Sequence, residues 1–273
     1  MENSQMNKQE IIKELKEISK QLNKSPGRRE ISQKLNRQCI KQFSSFNKAK
    51  QKAGLSIAKR KCKPLSKKSY KLTKNLVKIV SYLMFDGHLY KNLKAFYMSS
   101  KNIEPLKDFE NAMIKQFNIK GEYRFNTAGS RKQTHKIIIF NTNIAKFLNK
   151  ISVPKGDKMV TKFDIPEWIK KNKKFAKEYL KIAYLCEGSK YKASKNTEKI
   201  QINLNKSEEL LKDGLNFMDS LKSLLRQFDI KTTETWICKG NIRKRDGKIT
   251  KVMEFRIKAD SFNKFINQIG WYK

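Results

Sequence analysis

Acidic residues are scarce in this chain: 25 Asp and Glu stand against 62 Lys and Arg among 273 residues, a formal net charge of +37. A surface of that kind repels itself and calls for a polyanionic partner, either nucleic acid or an anionic membrane. Long apolar runs are missing as well. None is long enough to span a bilayer, and the opening Met1-Glu2-Asn3-Ser4-Gln5 lacks the apolar region of a signal peptide. These absences turn the reading away from a membrane partner and from secretion, and towards a cytoplasmic (nucleoid-associated) or organellar protein. Histidine occurs twice, and the four cysteines (Cys39, Cys62, Cys186, Cys238) form no CxxC pair, which argues against a structural zinc site. Cys186, in an apolar helix, and Cys238, in a strand, read as small core residues.

Two short apolar stretches end alike. Ile79-Val80-Ser81-Tyr82-Leu83-Met84-Phe85 runs into Asp86-Gly87, and Leu180-Lys181-Ile182-Ala183-Tyr184-Leu185-Cys186 runs into Glu187-Gly188. Each reads as a helix stopped by a glycine in the left-handed C-cap conformation. Each also places a carboxylate at the helix C-terminus, where the macrodipole is already negative. A divalent cation held between the two ends would reverse that unfavourable sign.

Both stretches open the same succession of elements. After Gly87, strands are predicted near Leu89–Lys91 and Lys94–Ser99, a helix near Glu104–Phe117, a hairpin over Glu122–Asn126 and Thr134–Asn141, and a helix near Ile144–Ile151. After Gly188 the order recurs: strands near Tyr191–Ala193 and Lys199–Leu204, a helix over Glu208–Phe228, a hairpin over Thr232–Ile242 and Lys248–Lys258, and a helix over Ser261–Ile269. The fold class is therefore α+β, two pseudo-symmetric αββαββα repeats of antiparallel sheet preceded by a small all-α module. The module is residues 1–55, with Ile11, Ile12, Leu15, Ile18 and Leu22 at helical spacing, a break at Ser25-Pro26-Gly27, a short helix predicted over Arg29–Leu35 and a third over Ser45–Ala53. Residues 56–75 read as a basic linker, eight of the sixteen residues from Lys59 to Lys74 being Lys or Arg. The repeats span 76–152 and 175–273, joined by a connector at 153–174. In the strands, apolar residues alternate with Lys, Arg, Gln and Asn, side chains able to neutralise phosphates and read base edges.

These motifs resemble the LAGLIDADG homing endonucleases in their single-chain, two-repeat archaeal form, from about Leu72 to the C-terminus. Asp86-Gly87-His88-Leu89-Tyr90 and Glu187-Gly188-Ser189-Lys190 resemble that family's motif endings. Ser25-Pro26-Gly27-Arg28-Arg29, Phe43-Ser44-Ser45-Phe46-Asn47 and Ala53-Gly54-Leu55 resemble the DNA-binding repeats found beside such endonucleases. The resemblance implies two motif helices packed side by side over a saddle of sheets, in a monomer that makes a metal-dependent double-strand break in a long DNA target. It implies that Asp86 and Glu187 bind Mg²⁺, or another divalent cation such as Mn²⁺, and that Lys101, Lys190 and Lys206 assist catalysis. Across the helix pair it implies that Ser81 faces Ile182 and Phe85 faces Cys186. The expected contacts to double-stranded DNA are Arg28, Arg29 and Lys48 in the module. In the first repeat they are Lys91, Lys94, Tyr97, Arg124 and Lys132, and in the second Lys192, Lys199, Gln201, Lys239, Arg243, Arg245 and Arg256. The alternative on the same scaffold is a non-cleaving DNA-binding regulator or an intron RNA maturase.

Overall fold

The computed structural model describes residues 6–57, 65–126, 134–194 and 197–271. The chain divides into two compact units, Met1–Lys61 and Cys62–Lys273.

The first unit holds α1 (Lys8–Gln21), α2 (Gln33–Phe43) and α3 (Phe46–Lys52) around a core of Ile11, Leu15, Leu35, Cys39, Phe46 and Ala49. A reciprocal capping box between Asn7 and Glu10 starts α1. The second helix begins later than the predicted Arg29–Leu35. Its cap is Ser32, whose hydroxyl accepts the Leu35 N–H at 3.1 Å, while Arg29 and Glu30 stay in a turn. Glu30 closes that turn by accepting from Lys24 Nζ at 2.5 Å and from the Gly27 N–H at 2.7 Å.

The second unit is a duplicated α+β body. Its first half runs α4 (Lys74–Met84), β1 (Gly87–Leu89), β2 (Phe96–Ser100), α5 (Ile103–Phe117), β3 (Glu122–Asn126), β4 (Thr134–Ile139) and α6 (Thr142–Lys150). A connector with a short α7 (Glu167–Lys170) follows. The second half repeats the order as α8 (Lys173–Cys186), β5 (Gly188–Ser194), β6 (Thr197–Ser207), α9 (Leu211–Arg226), β7 (Trp236–Ile242), β8 (Ile249–Arg256) and α10 (Phe262–Gln268). The two antiparallel sheets have the equivalent orders β1-β2-β4-β3 and β5-β6-β8-β7. Alternation within strands buries Phe96, Met98 and Ile137 in one sheet and Ile200, Ile202, Met253 and Phe255 in the other, all in one apolar core with α4 and α8. Among the described residues, no helix is long and apolar enough to cross a membrane.

The glycines after the two acids do a different job from the one their position predicts. Neither adopts a positive φ; each is the first residue of a strand that leaves the helix directly. A Cβ on Gly87 would lie 2.7 Å from Leu83 Cα and 2.9 Å from the Tyr97 carbonyl oxygen. One on Gly188 would lie 2.5 Å from the Tyr184 carbonyl oxygen and 2.9 Å from Tyr184 Cα. Both are clashes with backbone, so glycine is required for close approach rather than for handedness. Gly188→Ala should therefore lower stability by about 1–3 kcal/mol, the range of overpacking and strain, read as the urea midpoint. An unchanged midpoint would show that the helix-to-strand corner yields.

Candidate acid centre and nucleic-acid interface

α4 and α8 pack side by side and deliver their terminal acids to the same place. The Cys186 thiol, next to Glu187, lies near the Asp86 carboxylate, and burial followed by that carboxylate's charge pushes the thiol well above its usual pKa. Phe85, expected to face Cys186, packs its ring on Tyr179 of that same helix at 5.5 Å and on Phe217 at 6.3 Å. α4 stops at Met84, and Phe85 leaves helical geometry with φ −103° and ψ −89°. Ser81 keeps its hydroxyl within its own helix, donating to the Val77 carbonyl at 2.8 Å. Asp86 and Cys186 also border a cavity of about 640 Å³ that Tyr82, Asp108 and Glu178 help to line.

A third charged group completes the centre. Lys158, in the connector, donates its ammonium to the carbonyls of Phe85, of Gly87 at 2.8 Å and of Leu83 at 3.4 Å. It thereby satisfies the C-terminus of α4, which an acid alone would leave unfavourably negative. Burial of the ammonium pushes its pKa down to about 8, against the opposing pull of Glu187 and Asp86. Both acids therefore act on one cation. No sequence signal singles out this lysine in a chain so rich in them.

The connector around Lys158 is clamped from both sides. Asp157 caps the short 3-10 turn Lys158–Val160 and takes the guanidinium groups of both Arg243 and Arg245. Burial alone would raise the Asp157 pKa, but the Arg243 hydrogen bond, the Met159 N–H and the two Arg charges outweigh it and hold the carboxyl low. The resemblance implies a catalytic role for Lys206. It is instead fully buried, 3.1 Å from Asp213, donating to the Thr161 carbonyl at 2.6 Å and the Lys158 carbonyl at 3.1 Å with its ammonium over the Phe163 ring. That leaves it no face for phosphate or water, so its place is structural.

The remaining predicted residues sort by strand parity. Tyr97 and Arg124, joined by Lys136, which the sequence does not single out, lie on the face of the first sheet opposite Met98 and Ile137, where the Tyr97 ring stacks on His88 at 5.3 Å and carries the Lys136 ammonium at 4.1 Å. Lys91 and Lys94 project from the exposed β1–β2 turn. Lys101 stands exposed just past β2, whose Ser99 hydroxyl donates to the Asp86 carbonyl at 3.3 Å. In the second sheet, Lys199, Gln201 and Arg256 share the face opposite Ile200, Ile202 and Phe255. Lys192, in register with Glu198, and Lys239, in register with Lys251, fall on the helix-covered side of that sheet instead. Lys190 shares that side and pairs with Glu198 at 3.3 Å. Arg243 and Arg245 are engaged by Asp157, as above, although Arg245 keeps 68% of its side chain exposed. Arg28, Arg29 and Lys48 are exposed on the N-terminal unit. Lys132 lies outside the described residues.

Residues 6–56 match the family described as homing endonuclease associated repeat. The chain is similar to I-DmoI in a crystal structure with DNA and Mn, at 14% identity over 73% of this chain and 98% of that one, with a TM-score of 0.44. It is also similar to the N-terminal LAGLIDADG domain of DUF199/WhiA, at 13% identity over 77% of this chain and 85% of that one, with a TM-score of 0.45. Among curated proteins, it is 30% identical over 173 residues to the tRNA-splicing ligase RtcB of Methanopyrus kandleri. That match covers 58% of this chain and only 17% of that protein. With the replication factor C small subunit of Methanocaldococcus jannaschii it shares 28% identity over 206 residues, 71% of this chain and 11% of that protein. The body itself is a duplicated α+β scaffold with paired acid-ended helices over two four-stranded sheets. That body is joined to a homing endonuclease associated repeat at residues 6–56.

Proposed function

We propose that the protein is a site-specific, metal-dependent DNA endonuclease that makes a double-strand break in a long duplex target. One observation carries this reading: Asp86 and Glu187 end two helices that pack together, and both are near enough to Lys158 for their charges to oppose the fall of its pKa, beside two sheets whose outer faces hold Tyr97, Lys136, Arg124, Lys199, Gln201 and Arg256. Among the described residues, no three His, Cys, Asp or Glu gather into a metal cluster. Two carboxylates with hard oxygen donors fit Mg²⁺ or Mn²⁺ in the mode where substrate phosphates complete the coordination. Bound there, such a cation would activate water and neutralise charge on the leaving oxygen. Asp86 and Glu187 would each hold it against one strand's phosphate, Lys158 would fix the α4 terminus that carries Asp86, and the sheet faces would set the register of the duplex. Similarity to small parts of two proteins of unrelated chemistry supports a unit that moves between hosts, as an intron- or intein-borne endonuclease does.

A non-cleaving DNA-binding regulator, or an RNA maturase, is the second reading. One observation favours it: Asp86 already has structural partners in the Cys186 thiol and the Lys158 charge. Incubation of duplexes selected from a random library, first in Ca²⁺ and then in Mg²⁺, decides between the two. Cutting at a fixed position establishes the endonuclease, and sequence-specific binding without cutting establishes the regulator. Within the first reading, residues 1–55 help to neutralise the DNA backbone. Deleting them should weaken binding and flatten the log–log salt dependence by about 0.9 for each phosphate no longer neutralised; an unchanged slope would assign the module another role.

A further inference from the structure

Resting on duplex DNA as the ligand, we infer that Arg256 is a specificity-determining residue that reads one guanine, with Trp236 and Glu254 as its positioning residues. Arg256 of β8 stands in register with Gln201 of β6, which is in register with Ser189 of β5, so the three form one row across the outer face of the second sheet. Its guanidinium carbon lies 4.6 Å from the centre of the Trp236 ring and 5.9 Å from that of Tyr191. Glu254 Oε1 accepts from Nη2 at 3.3 Å. The backbone at Arg256 is fixed too: its N–H donates to the Thr233 hydroxyl at 2.9 Å and its carbonyl accepts the Thr233 N–H at 2.8 Å. Held flat in this way, the guanidinium loses little freedom on binding.

Its donors are not all used. Among the described residues, Nε is buried without a hydrogen-bond partner, so the reading edge is the exposed Nη end of the guanidinium, of which Glu254 takes only Nη2. A third of the side chain remains exposed, and a cavity of about 470 Å³, also bordered by Lys199 and Trp236, opens beside it. A guanidinium offers donors only, and in the major groove guanine is the base that presents two acceptors, O6 and N7, side by side. A phosphate would also accept from Arg, but the Glu254 carboxylate, bonded to the same guanidinium, repels an anion and leaves a neutral base unopposed. Gln201, one strand away in the row, is placed to contact the adjoining base pair.

The test is selection from a random duplex library in Ca²⁺, run with the wild type and with Arg256→Ala after a thermal melt confirms that the variant folds. The wild-type motif should contain one strongly preferred guanine. Arg256→Ala should return the same motif with that position alone flattened, by about tenfold to a hundredfold in discrimination. Replacing that guanine with 7-deazaguanine, which removes N7 and leaves every phosphate in place, should weaken wild-type binding about tenfold and leave Arg256→Ala unaffected. Trp236→Leu should weaken the guanine preference without shifting the salt slope. A uniform loss across all sequences in Arg256→Ala, or wild-type indifference to 7-deazaguanine, overturns the inference while the DNA reading stands. The 7-deaza arm decides even if the variant does not fold. If the wild type enriches no duplex, the DNA reading falls and this inference falls with it.

Discussion

Asp86→Asn and Glu187→Gln should each cut DNA slower by on the order of a thousandfold or more, as removal of a central catalytic group does, while binding the same target within a few-fold. The substitutions keep shape and remove one charge apiece. Stability should fall only modestly, since each substitution removes one of two counter-charges of the Lys158 ammonium but also relieves an acid at the negative end of a helix dipole. Both variants should melt within a few degrees of the wild type. Initial cutting rates in Mg²⁺ beside binding isotherms in Ca²⁺ check this. Full cutting by both variants would remove the acids from the chemistry, and a large drop in melting temperature would make them structural residues.

The second large effect belongs to Lys158. Lys158→Met fills similar volume but leaves the Phe85 and Gly87 carbonyls, and the more distant Leu83 carbonyl, without their donor. Removing the partner of a buried acceptor costs about 1–3 kcal/mol, so the variant should be about 2–4 kcal/mol less stable. In a body of this size that corresponds to a melting temperature lower by roughly 5–15 °C. Cutting should fall as well, because the helix end that presents Asp86 is no longer fixed. A variant that melts like the wild type would show that the ammonium contributes nothing net at the helix end.

The acids are legible because an apolar helix-period run ending in acid-glycine recurs with the same elements behind it, and β3 lies over Glu122–Asn126 as its alternation indicates. Lys158 is not, because nothing local marks it: its role exists only once α4 and the connector meet. The misplacement of Lys206 is avoidable. Ile200, Ile202 and Leu204 set a period-two pattern whose next member is position 206, and Ile200 and Ile202 point into the core. Lys192 follows from the same parity through Glu198. Arg243 and Arg245 read as DNA-binding residues on charge alone, and only the long-range approach of Asp157 shows where those charges go. The onset of α2 escapes a periodicity reading because a serine cap outweighs helix propensity over so short a span.

At Gly87 and Gly188 the chain enters a strand within one or two residues of the helix end, so each acid is joined to its sheet like the jaw of a fixed-gap caliper. Because side chains alternate from one residue to the next, a single insertion at either corner would turn the whole following strand inside out. Under the proposed reading, adaptation to a new target would thereby be confined to exchanging side chains along strands of constant length. The spacing between the bases read and the bonds cut would be inherited unchanged by every descendant of this chain.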